Sequence, residues 1–336
     1  MATIPEFTTR PELAGTFGMV ASTHWLASAA GMAVLEKGGN AFDAAAAAGF
    51  VLQVVEPHLN GPGGEVPVIA SLAGGGAGSV FVLDGQGPAP AAATLAAFAD
   101  LGLDLVPGSG LLAAVVPAAF GTWMLLLERH GTMRPRDVLE YAIGYARDGY
   151  PMLPTASGQI EAMADTFRAH WPTSAQTYLA NGVPGAGQRF ANPVLAQTYS
   201  RIVEEAEAAG SGREVQIEAA RRAFYEGFVA EAIGAYLDGA EVMDVTGQRH
   251  RGLLTAADLA AWRASAEEPV TLDFRGFTVC KTGPWGQGPV FLQQLAQLDG
   301  LDLTAMGAGS ADFIHAVTES TKLAMADREA WYGDPR

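Results

Sequence analysis

Apolar residues return every three or four positions over most of this chain, and alternating apolar runs occur at only a few places, so helices are predicted to dominate and strands to be few. The stretch GMVASTHWLASAAGMAVLEKGG, residues 18–39, predicts a short strand over 19–22 and then a helix over 25–37, with Ser22 or Thr23 as its cap and Gly38 and Gly39 as its stop. A second helix follows at once. Asn40 is placed as N-cap with Asp43 at the third helical position, a capping-box spacing, and AAAAAGFVLQVVE carries the helix to residue 55. The alanine run lets neighbouring elements approach closely.

Two alternating runs, VPVIASLA and SVFVLD, flank the glycines of Gly74–Gly78 and predict a β-hairpin. Phosphate-binding glycine loops join a strand to a helix, so this loop is not read as one. Further helices are predicted over 120–130, 135–147, 156–170, 193–209, 214–224, 228–237, 256–264, 290–298 and 311–332. EPVTLDFRGFTVCKT predicts two strands turning near Arg275 and Gly276. About five strands are few for closing a sheet of four to six. The chain is expected to borrow strands from a second polypeptide.

With 336 residues the chain can hold one domain or two, and its 49% hydrophobic and 17% charged content gives it material for a core. Net charge is −16, the only lysines are Lys37, Lys281 and Lys322, and the tightest basic pair is Arg221–Arg222. No basic stripe exists to neutralise a phosphate backbone, so nucleic acid is not an expected partner. Cys280 is the single cysteine, which excludes an intrachain disulfide and any multi-cysteine zinc motif, and a buried place in a strand is expected for it. No run of eighteen strongly apolar residues occurs and the first residues lack an export pattern, so a cytoplasmic protein without membrane partners is expected.

The six histidines show no metal-ligand spacing, and His130 and His170 are expected to end helices as structural residues. In EPHLNGPGG, Glu56, His58 and Asn60 alternate ahead of a glycine turn. Pro57 and a lone imidazole make a poor ligand set, so a hydrogen-bonded corner is expected rather than a metal site. No metal or organic cofactor is expected.

The strings GMVASTHWLASAAGMAVLEKGGNAFDAAAA and VVEPHLNGPGGEVPVIA, then FYEGFVAEAI, LLTAADLAAWRASAEEPVTLDFRGFTV and KLAMADREAWYGDP, resemble in order the large subunit of the γ-glutamyltranspeptidase family. The resemblance covers nearly the whole chain and implies one domain, residues 1–336, with an α+β fold: the N-terminal-nucleophile hydrolase αββα four-layer sandwich, completed by strands of a small subunit cut from the same precursor. It also implies that no catalytic residue lies in this chain, the nucleophile being an N-terminal threonine of the partner whose own amine serves as base. The number of such αβ pairs stays open. Asn60, Gly61, Gly63 and Gly64 become a backbone corner beside the active site, where substrate or nucleophile approaches closely.

One stretch departs from the family. Members acting on γ-glutamyl groups read DGRETAPAAAT where this chain has DGQGPAPAAAT, which puts Gln86 where an arginine grips the substrate α-carboxylate. The neighbourhood is similar instead to cephalosporin-acylase-like and oxamate-amidohydrolase-like members, with Pro88 and Trp285 replacing that branch's usual arginine and asparagine. Trp285 is a candidate wall for an apolar substrate pocket. The resemblance thus implies a cytoplasmic amidohydrolase acting on an amide of a small acid or acyl compound. Glutathione hydrolysis or γ-glutamyl transfer, a specialised biosynthetic bond cleavage, and a non-catalytic scaffold stand as alternatives.

Overall fold

The computed structural model describes residues 12–75 and 79–334. Two helices open it, α1 (Trp25–Glu36) and α2 (Ala41–Val55), followed by the antiparallel strands β1 (Val68–Ser71) and β2 (Val80–Asp84). After α3 (Leu95–Asp100) and a 3-10 turn come α4 (Ala119–His130) and α5 (Pro135–Asp148). A smaller unit then packs around Met152, Ala156 and Ile160: β3 (Tyr150–Pro151), α6 (Pro154–His170), α7 (Pro172–Tyr178) and β4 (Arg189–Phe190). The chain returns to the main core through α8 (Pro193–Ala209), α9 (Arg213–Tyr225) and α10 (Phe228–Gly239). It closes with β5 (Val242–Met243), β6 (Arg249–His250), α11 (Ala256–Ala261), β7 (Ser265–Glu267), β8 (Val270–Phe274), β9 (Phe277–Lys281), α12 (Gly288–Asp299), α13 (Leu303–Met306) and α14 (Ala311–Trp331).

The architecture is α+β, and every pair of named strands is antiparallel. The largest sheet among the described residues has three strands, in the order β1-β2-β7, and the expected two-strand run at 270–281 stands apart as the β8–β9 hairpin. Its turn puts Arg275 and Gly276 at φ 50° and 86°, the left-handed pair such a tight connection needs. The loop of the first hairpin falls partly on 76–78, outside the described residues.

Helix α2 is the hub, because its small side chains let neighbours close in from several sides. Gly49 shows how close: a Cβ there would sit 2.2 Å from the Trp123 ring of α4. At its start the expected capping box is present, Asn40 Oδ1 accepting the Phe42 and Asp43 N–H groups while Asp43 accepts the Asn40 N–H. The buried Asp43 carboxylate also takes the Thr132 N–H and hydroxyl and the Met133 N–H, at 2.7 to 3.1 Å, tying the turn after α4 to α2. Asp43→Ala would strand these donors inside the protein. It is expected to destabilise by about 3 kcal/mol, read as a lower urea midpoint, and a loss below about 1 kcal/mol would refute this role for Asp43.

Three expectations about where elements form, start or stop fail. Residues 19–22 are not a strand, since Val20 packs instead against α1 at Gly31, where a Cβ would lie 2.8 Å from Val20 Cγ1. Neither Ser22 nor Thr23 caps α1; His24 does, its Nδ1 accepting the Leu26 N–H at 3.1 Å. The Ser22 hydroxyl donates to the His24 carbonyl, and the Thr23 hydroxyl donates to the Glu56 carboxylate. The helix expected over 256–264 stops at Ala261, because Trp262 turns extended and buries its ring against Tyr225.

Candidate functional site

Residue 56 ends α2, and the chain then folds back through two tight turns. The Leu59 and Asn60 N–H groups donate to the Glu56 carbonyl at 3.0 and 3.2 Å, and the Gly64 N–H donates to the Gly61 carbonyl at 2.9 Å. The Gly64 carbonyl in turn accepts from the Ala118 and Ala119 N–H groups, at 3.0 and 2.9 Å. These are two of the N–H groups that an α4 N-terminus would otherwise leave unpaired. The glycine corner is therefore bolted to the start of α4 by main chain alone.

Gln86 reaches the same place from β2. The Val66 N–H donates to the Gly85 carbonyl at 2.9 Å and the Val116 N–H to the Pro88 carbonyl at 3.1 Å, so the 84–88 loop is sandwiched between 64–66 and 116–119. The sandwich is tight enough to dictate the residues beside Gln86. A Cβ on Gly85 would lie 1.9 Å from the Val66 oxygen, and one on Gly87 would lie 1.6 Å from the Val116 oxygen. Within this chain a Cβ on Gly61 or Gly63 would meet nothing within 4 Å, while one on Gly64 would lie 3.1 Å from the Gly61 oxygen. Asn60, Gly61, Gly64 and Gln86 are half-buried and Gly63 is exposed.

Trp285 lies in the 282–288 turn that leads into α12. It is 7% exposed, and its indole N–H donates to Glu267 at 2.7 Å. Glu267 sits opposite Val82 in the β2–β7 register, so Trp285 is tied to the strand that delivers Gln86. The ring is a packed residue at the sheet, with its polar tip already satisfied.

Beneath the corner, Glu56 is 3% exposed and His24 1% exposed. Burial pushes the His24 imidazole below its ordinary range, against the opposing pull of the Glu56 carboxylate. The folded protein thus refuses a proton that the unfolded chain accepts, and stability is lost as pH falls below about 6.5. His24→Asn keeps a capping acceptor and removes the titration, so its thermal midpoint should change less between pH 7 and 5 than the parent's; parallel curves would exclude His24 as the cause.

The remaining expectations are placed as follows. His58 Nε2 lies 3.4 Å from the Thr155 hydroxyl, and no cluster of three His, Cys, Asp or Glu that could hold a metal occurs among the described residues. His130 ends α4 and stacks on Phe81 with centroids 4.4 Å apart, while His170 ends α6. Cys280 lies in β9 but is only half-buried, since its hairpin has no described third strand over it. No described helix is long and apolar enough to cross a membrane. Recesses of about 820 and 500 Å³ lie elsewhere, at α7, β4 and the start of α8, and between α12 and α14.

Sequence reasoning missed the clamp itself: Gly85 and Gly87, the Ala118 and Ala119 N–H groups, and the Glu267 partner of Trp285. One signal was available, the Gly-Gln-Gly at 85–87 repeated at 286–288. Gly288 is also forced, with a Cβ position 2.1 Å from the Thr282 oxygen.

Comparison with known proteins identifies the family of the chain. The family described as Gamma-glutamyltranspeptidase matches residues 27–336. The glutathione hydrolase-like YwrD proenzyme of Bacillus subtilis is 32% identical over 323 residues, covering 96% of this chain and 56% of its own. The oxamate amidohydrolase proenzyme of Klebsiella pneumoniae is 33% identical over 333 residues, with 96% and 56% covered. A solved structure, LmbA2991T421A, is 56% identical with a TM-score of 0.92 and covers 98% of this chain and 56% of that one. The chain spans about half the length of the curated relatives it matches.

Proposed function

This chain belongs to the gamma-glutamyltranspeptidase family, and from that premise we propose that it is the large subunit of an amidohydrolase acting on an amide of a small acid or acyl compound. Its fold is the α+β fold of the family's N-terminal-nucleophile hydrolases. In this reading the small subunit comes from the same precursor, as the proenzyme names of the relatives suggest, and its N-terminal threonine is the nucleophile. The corner at 60–64 and the 84–88 loop form the wall against which the scissile amide lies. The site of action is cytoplasmic in this reading, a compartment in which an unpaired thiol such as Cys280 stays reduced.

The observation that carries the reading is the clamp around Gln86. Main-chain bonds on both sides fix where this side chain starts, and an amide at that point cannot make the bidentate contact by which a guanidinium holds a carboxylate. A γ-glutamyl group would lose its α-carboxylate grip from this chain. The proposed substrate therefore carries no α-amino acid head there.

The test uses the processed protein. N-terminal sequencing of its second chain should find threonine, and oxamate should be hydrolysed faster than γ-glutamyl-p-nitroanilide. A second chain without a nucleophilic first residue favours a scaffold. Efficient release of p-nitroaniline favours glutathione chemistry, the reading that the YwrD name supports. Turnover of neither probe by a threonine-headed enzyme points to a specialised bond cleavage.

A further inference from the structure

The β1–β2 register sets Val68 opposite Leu83 and Ile69 opposite Val82. The bond from the Val66 N–H to the Gly85 carbonyl, at 2.9 Å, carries the same register past the strand ends and brings Glu65 opposite Gln86. Cross-strand partners share a face, with Cβ atoms about 5 Å apart. Val66, Val68, Phe81, Leu83 and Ala266 pack one face of this sheet onto the main core. Glu65 and Gln86 therefore emerge on the other face, together with Asp84 and, from β7, Glu267.

Two of these carboxylates are committed. Asp84 Oδ1 accepts the Gln86 N–H at 3.2 Å, and Glu267 accepts the Trp285 indole N–H at 2.7 Å. Glu65 is exposed, and its carboxylate has neither a hydrogen bond nor an ion pair among the described residues. Partial loss of water still raises its carboxyl above the ordinary range, and no neighbouring cation pulls it back. An acid in that state gains most from a positively charged partner. Gln86 beside it offers an acceptor oxygen and no charge.

We propose that Glu65 is a specificity-determining residue of the substrate wall and, with the Gln86 side-chain oxygen, holds a protonated amine on the acyl part of the substrate. This role rests on 60–64 and 84–88 being that wall, as proposed above, and it narrows the substrate class. The amide hydrolysed is that of an amine-bearing acyl group with no carboxylate beside the amine. An ammonium set between the two side chains satisfies both acceptors with charge-assisted bonds. A carboxylate in the same place meets the Glu65 charge and finds no lysine or arginine in 60–66 or 84–88. Negatively charged acyl groups are thus turned away as neutral ones are not.

Three p-nitroanilides test the role on the processed protein near neutral pH: β-alanyl, butyryl and glutaryl, the first two nearly equal in size and different by one positive charge. The β-alanyl compound should exceed the butyryl by about 10-fold or more in kcat/KM, and the glutaryl compound should be slowest. Glu65→Gln should bring β-alanyl down to butyryl, leave butyryl unchanged and speed glutaryl, while Glu65→Lys should place glutaryl first. Both change an exposed side chain, so processing and the melting curve should hold. Binding is read apart from turnover. By calorimetry β-alaninamide should bind the parent about 10-fold more tightly than butyramide, and Glu65→Gln should erase that margin. Cleavage of none of the anilides with the binding margin intact would support Glu65 as the amine site and overturn the amidohydrolase reading alone. Equal affinity for the two amides, or a β-alanyl preference unchanged by Glu65→Gln, would overturn the role of Glu65.

Discussion

Gly87→Ala should disable the protein although it adds one methyl group. The new carbon would start 1.6 Å from the Val116 carbonyl oxygen, and a main-chain atom cannot rotate away as a side-chain tip can. Either the 84–88 loop or the 116–119 segment must withdraw. That breaks the Val116–Pro88 bond and the setting of Gln86, and disturbs the α4 start that holds Gly64. Overpacking usually costs about 1 to 3 kcal/mol, and a collision with backbone belongs at or above the top of that range. Gly61→Ala supplies the control, because its Cβ would meet nothing within 4 Å. The thermal midpoint of Gly87→Ala should fall by several degrees with amide hydrolysis lost, while Gly61→Ala should stay within about 0.5 kcal/mol of the parent. Equal stability of the two variants would show that the clamp is looser than drawn.

What the sequence made legible was local. Asn40 and Asp43 fix the start of α2 through bonds no more than three residues long, and the pattern around Arg275 and Gly276 fixes a hairpin through its own turn. The corner at 60–64 was legible as a corner, because its turns close within four residues. The clamp was not, since the atoms that forbid a side chain on Gly85 and Gly87 belong to residues 66 and 116. The cap of α1 is His24 and neither Ser22 nor Thr23: the Ser22 hydroxyl turns to the His24 carbonyl, and Thr23 is committed to Glu56, 33 residues on. Arg221 read as half of a basic pair, and only the packing of α9 against α4 shows that it is buried while Arg222 is exposed. Long-range closure decides these positions, and no periodicity encodes it.

Gln86→Arg tests the substrate reading from the opposite side, by asking for a gain. If residue 86 faces the place where a γ-glutamyl group would present its α-carboxylate, a guanidinium there supplies the missing charge-assisted contact, worth about 1.5 to 3 kcal/mol. That corresponds to roughly a 10- to 100-fold rise in kcat/KM for γ-glutamyl-p-nitroanilide. The substitution leaves Gly85 and Gly87 in place, so the clamp should survive and the melting curve should hold. Half-buried Gln86 donates its backbone N–H to the Asp84 carboxylate at 3.2 Å, and that bond does not depend on the side chain of residue 86. Hydrolysis of oxamate should meanwhile fall or stay level, because a longer cation at the wall serves a different head group. A variant that folds, is processed, and gains nothing on the glutamyl probe would remove residue 86 from the substrate wall, and with it the reason for preferring another amide over glutathione.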